Sequence, residues 1–128
     1  MAIAMTLAIA GCGGSDSRPM PPTAPTPPTP PPATATANAY ILPDATNLGA
    51  LAFGDEPVVI HKGERLRWVN LDQVTHALVA DTPGATDFAG TKELPAIGEE
   101  SLIMTKLGTT TIHCRIHPGM VGTLIVRK

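Results

Sequence analysis

Three side chains with metal-binding chemistry fall in one short run near the C-terminus. The run is Cys114-Arg115-Ile116-His117-Pro118-Gly119-Met120. It sets a soft thiolate, an imidazole and a thioether at i, i+3 and i+6 around a Pro-Gly turn. With one further imidazole this becomes a His₂Cys set with a weak axial Met, the donor set that holds copper for electron transfer. Pro118 has a fixed φ and no N–H, which limits how far the loop can relax. The second imidazole must come from elsewhere, and three histidines remain: His61, His76 and His113. His113 is next to Cys114, so on a strand it points to the other face. His61 has the parity of Val59, opposite Val58 and Ile60, and lies just before a turn. His76 shares a face with Leu78, follows the polar turn Asn70-Leu71-Asp72-Gln73, and is far from Cys114 in sequence. It is the histidine of choice.

The elements that must position these residues read as short strands. Leu66 and Trp68 alternate with Arg65 and Arg67, the period of a half-buried strand. Val58-Val59-Ile60 joins it through the tight turn Lys62-Gly63-Glu64. Val74 to Ala80 predicts a third strand, with Val74, His76, Leu78 and Ala80 on one face. Ser101 to Met104, Thr109 to Cys114 and Val121 to Arg127 read the same way, and shorter candidates lie at Tyr40 to Leu42 and Leu48 to Phe53. Met104 and Trp68 read as core. No segment sustains a helical period. Seven to eight short strands in residues 40–128 predict an all-β Greek-key β-sandwich.

Two stretches carry a family resemblance. Residues 53–80, FGDEPVVIHKGERLRWVNLDQVTHALVA, and residues 112–126, IHCRIHPGMVGTLIV, resemble the plastocyanin/azurin family of cupredoxins. The shared pattern is a basic-Gly turn, a Trp-Val-Asn strand end, a His some residues on, and then Cys-x₂-His-x₂-Met entering a final strand. The short ligand loop is similar to that of amicyanin. The resemblance implies the cupredoxin fold, one type 1 copper ion cycling between Cu(I) and Cu(II), and one-electron shuttling. Carried over, it names His76, Cys114, His117 and Met120 as ligands and the His117 edge as the exit for the electron. Three positions depart from the common pattern: Ala77 where a bracing polar residue is usual, Arg115 where a hydroxyl is usual, and Ile112 where an aromatic is usual.

Composition sets the surroundings. The chain has 128 residues, 43 % hydrophobic and 16 % charged, with a formal net charge of −2. That balance excludes the basic footprint of a nucleic-acid binder. No apolar run reaches the roughly 18 residues that a membrane-spanning helix needs. Residues 2–11 are nearly all apolar and end in Ile9-Ala10-Gly11-Cys12, which resembles the bacterial lipobox. Residues 1–11 are therefore expected to be a lipoprotein-type signal peptide, and Cys12 the lipidated first mature residue. Gly13, in place of Asp, leans towards the outer membrane. Residues 12–39 hold nine of the 14 prolines between positions 19 and 32 and read as a tether without a core. The expectation is a monomeric, lipid-anchored domain of the periplasm or cell envelope that meets redox protein partners transiently. An envelope copper-delivery lipoprotein is the alternative. Only His61 and His113 are left for any further copper centre, so an enzyme is not expected.

Overall fold

The computed structural model describes residues 34–128, together with Gly11, Gly13, Gly14 and Pro19. Cys12 lies outside the described residues, as does most of the stretch read as signal peptide and tether. Seven strands carry the fold: β1 (Thr36–Ile41), β2 (Val58–His61), β3 (Arg65–Asn70), β4 (Leu78–Ala80), β5 (Glu99–Ile103), β6 (Gly108–Cys114) and β7 (Val121–Arg127). They form a sheet of order β1-β3-β5 and a second of order β2-β7-β6-β4. Each sheet contains one parallel pair, β1 with β3 and β2 with β7, so both are mixed. This is the β-sandwich that the sequence predicts.

Alternation explains which faces meet. On β3, Leu66, Trp68 and Asn70 turn inward while Arg65, Arg67 and Val69 stay partly open. Val58 and Ile60 of β2, Ile112 and Cys114 of β6, and Leu124 and Val126 of β7 face them from the other sheet, in one core cluster. Trp68 stands edge-on to Phe53 at 5.7 Å and tilted to Phe88 at 6.0 Å, and Met104 fills the core beside them. Each large apolar side chain so buried contributes about 1.5–3 kcal/mol.

Three local expectations change. Leu48 to Phe53 is not a strand but part of two 3₁₀ turns, Ala45–Asn47 and Gly49–Leu51. Gly49 takes φ +56 and accepts the Ala52 N–H at 3.2 Å, so the backbone closes locally. The segment Val74 to Ala80 is strand only over Leu78–Ala80. The Val74 carbonyl is taken by the Asn70 side chain, and His76 and Ala77 are both fully buried, which breaks the period of two. At the N-terminal side, β1 starts at Thr36, so residues 36–39 are sheet rather than tether. Of the candidate Tyr40 to Leu42, Tyr40 and Ile41 form the end of this strand and Leu42 lies just beyond it.

The registers give the sandwich two distinct poles. At one, the turn after β2 is tied to the end of β7 and to the residue before β1: Lys62 N–H donates to the Arg127 carbonyl and Arg65 N–H to the Ala35 carbonyl. At the other, β3 ends at Asn70, opposite Ile41, and β6 ends at Cys114, opposite Leu78.

Candidate metal centre

Cys114 closes β6 with its side chain turned into the core. The chain then turns at once. Cys114 N–H donates to the Met120 carbonyl at 3.0 Å, and Met120 N–H donates to the His117 carbonyl at 3.0 Å. The loop is thus clamped at its base before Val121 opens β7. His76 arrives from the loop after β3, where it pairs with Leu94 through two backbone hydrogen bonds of 3.0 and 2.7 Å. It therefore faces inward through a two-residue bridge and not through the long strand that its spacing suggests.

These loops bring three donor atoms together. Cys114 Sγ lies 3.7 Å from His76 Nδ1 and 3.8 Å from His117 Nδ1, and the two Nδ1 atoms are 3.2 Å apart. The circle through the three atoms has a radius of about 2.1 Å, close to the roughly 2.0–2.3 Å of metal bonds to nitrogen and sulfur. One ion at the centre would reach all three without rearrangement. His76 and Cys114 are fully buried and His117 is half-buried. Among the described residues this is the one group of three such side chains that could hold a metal. Met120 is fully buried in the core cluster that contains Cys114.

The far side of His76 is also fixed. Its Nε2 lies 2.9 Å from Asp72 Oδ2, inside the fold. Burial would raise the Asp72 carboxyl, but donors from the His76 ring and from the N–H groups of Gln73, Asp44 and Ala45 outweigh it and hold the group below the usual carboxylate range. A carboxylate only accepts, so Nε2 carries the ring proton and Nδ1 presents a lone pair. The Cys114 sulfur and the two Nδ1 atoms thus converge on one small space between them. The donor set is soft sulfur with borderline nitrogen, which suits copper.

Comparison with known proteins decides the family. Residues 43–127 match copper binding proteins of the plastocyanin/azurin family. The chain belongs to that family. Copper is accordingly its cofactor, and electron carriage is the family's general function. Solved cupredoxins agree in fold. A purple cupredoxin from Nitrosopumilus maritimus superposes with a TM-score of 0.61 at 18 % identity, covering 70 % of this chain and 98 % of that one. A Cu(I) form of an amicyanin variant gives 0.52 at 19 % identity, over 73 % and 81 % of the two chains. A variant fern plastocyanin gives 0.55 at 19 % identity, over 70 % and 99 %. No curated protein matches the chain in sequence.

The remaining histidines of this cupredoxin stand apart from the trio. His113 turns away from Cys114 and pairs with Asp81. His61 is exposed beside Glu64, at 3.5 Å. The departures from the family pattern are accommodated. Ala77 braces the cysteine with its backbone, its N–H 3.5 Å from Cys114 Sγ and its carbonyl accepting Arg115 N–H at 2.7 Å. Arg115 is exposed, 3.8 Å from Glu93, and Ile112 is core. Asp72 and Asn70 escape a reading by residue type, because a polar turn is by default solvent-facing. Their spacing before His76 is the one signal for them. Buried Asn70 donates to the carbonyls of Val74, Leu94 and Pro95 and accepts the Asp72 N–H, tying the loop into one piece.

Proposed function

We propose that this chain is a one-electron carrier of the bacterial cell envelope, with copper held by His76, Cys114, His117 and Met120. The observation that carries the reading is the preformed triangle of Nδ1, Nδ1 and Sγ, closed on its inner side and half-open at His117. A bound copper ion supplies the one-electron couple.

The residues supply the rest. His76 and Cys114 exclude water from the inner side of the centre. The Asp72 and Ala77 contacts hold their donor atoms in place, and the two backbone bonds of the 114–120 loop hold His117. A donor set that cannot shift has little to rearrange when the charge changes. His117 sits at the rim, between exposed Ile116 and Pro118, which makes its edge the natural point of contact. A partner would meet a small surface there and leave quickly, as at other weak redox interfaces. In this reading the chain works as a monomer, performs no catalysis of its own, and hangs from a membrane, the outer one preferred, by a lipid on Cys12 and the tether that leads to β1 at Thr36.

Adding Cu(II) to the metal-free chain tests the site. An intense visible thiolate-to-copper band and a reversible one-electron wave are expected. A colourless complex, or a metal that binds without cycling, would favour copper delivery instead. For the anchor, Cys12→Ser should move the protein from the membrane fraction to the soluble one. Unchanged fractionation would remove the lipid from the account.

A further inference from the structure

The end of the sandwich away from the metal centre has a charge of its own. The registers define it. β2 finishes at His61 opposite Arg127, β3 begins at Arg65 opposite Ile103, and β6 begins at Gly108 opposite Val126. Gly63 N–H donates to the Met104 carbonyl and Met104 N–H to the Glu64 carbonyl, so the turns before β3 and before β6 lie side by side there. This end carries Lys62, Arg65, Lys106, Arg127 and Lys128, five of the eight lysines and arginines of residues 34–128. It carries only two of the ten carboxylates of that stretch, Glu64 and Asp87. Both accept backbone N–H groups, Glu64 from His61 and Asp87 from Thr105 and Lys106. None of the five cations forms an ion pair among the described residues. Two apolar side chains stand exposed among them, Ile103 and Leu107, each 40 % open.

We propose that this end is a docking surface for an anionic lipid bilayer. Three observations favour that occupant. The cations are unpaired and meet headgroup phosphates without first breaking a bond within the domain. Ile103 and Leu107 supply apolar surface that enters the headgroup layer, the pairing of cation and apolar side chain that interfacial binding uses. The chain also enters the domain here, where the Ala35 carbonyl accepts Arg65 N–H at 2.8 Å. The remaining eight carboxylates do not cancel the attraction. They lie towards the other end of strands about 20 Å long, whereas charges are screened within about 8 Å at physiological ionic strength. Docked in this way, the domain holds its metal-bearing pole away from the bilayer. The surface belongs to the folded domain and does not need the lipid on Cys12.

The test uses the full chain carrying Cys12→Ser, so that no acyl chain can form. Vesicles of phosphatidylcholine alone measure whatever the apolar residues 2–11 contribute, and vesicles with added phosphatidylglycerol measure the charge. Sedimentation should show at least tenfold stronger binding to the anionic vesicles, and that preference should vanish in high salt. Each cation at such a surface is worth roughly fivefold. Lys62→Gln with Arg127→Gln should therefore remove at least tenfold of the preference, with the visible copper band retained as the sign of an intact fold. Lys92→Gln, remote from this end, should bind like the parent chain. A spin-labelled headgroup should broaden the NMR signals of residues 62–65, 105–107 and 127–128 and spare those of 114–120. Equal binding to both kinds of vesicle would overturn the proposal, as would a preference that survives the double substitution or broadening centred on 114–120. If the chain ignores anionic vesicles yet these cations hold an acidic protein, the surface is a protein interface and the lipid assignment fails. None of these readings depends on the copper ligands, and none on acylation of Cys12.

Discussion

At the residue scale, His113 and Cys114 are neighbours in sequence with opposite surroundings. Cys114 Sγ faces two imidazoles inside the fold, while His113 pairs with Asp81 on a half-exposed face. Cys114→Ser should therefore abolish the visible band of the copper-loaded chain, because a hydroxyl supplies no soft anionic sulfur. His113→Ala should leave that band in place and cost under about 1 kcal/mol in unfolding experiments, as exposed pairs do. Loss of colour in the His113 variant would contradict the geometry. The Cys-His-Met run was legible in the sequence because three donor types seldom fall so close together by accident. Asp72 was not, because nothing in its residue type separates a buried hydrogen-bond hub from a solvated turn.

At the scale of elements, the strands were legible wherever one face is buried and the other open, as in β2, β3, β6 and β7. They were not legible where side chains bury on both sides, as at His76 and Ala77, or where a glycine lets the chain coil, as at Gly49. The start of β6 makes a sharper point. A Cβ on Gly108 would lie 2.1 Å from the Ala85 carbonyl oxygen, a backbone atom that cannot swing aside. Gly108→Ala should lower stability by roughly 1–3 kcal/mol in denaturant unfolding, with the copper spectrum unchanged. The loop before β6 adds a pH term. Asp87 accepts the N–H groups of Thr105 and Lys106, and these donors hold its carboxyl below the ordinary range against a smaller opposing effect of burial. A carboxyl with a lowered folded value stabilises the fold above its unfolded value and loses that contribution as pH falls through the folded one. Asp87→Asn should therefore flatten the decline in the melting temperature below about pH 4. The side chain is exposed, so the change should be small. An acid limb identical to that of the wild type would show that the cap carries no weight.

At the scale of the whole molecule, the two sheets make a sandwich with unlike ends. The first strand begins and the last strand finishes beside the turn at residues 62–65, whereas both metal-bearing loops gather at the opposite pole. A six-residue strand such as β1 puts about 20 Å between the two poles. Shortening the leader by deleting residues 13–33 should thus leave the copper spectrum untouched and slow only transfer to distant partners. The same polarity has a practical side. Glued to gold through a thiol added after Lys128, with Cys12 replaced, the domain would stand with its metal facing the solution. Dissolved mediators should then exchange electrons with it freely, while current straight from the gold should be weak. Moving the thiol to position 118 should invert both, since the support would then cover the His117 edge. Where a support grips this molecule decides whether it behaves as a lamp turned outward or as a wired contact.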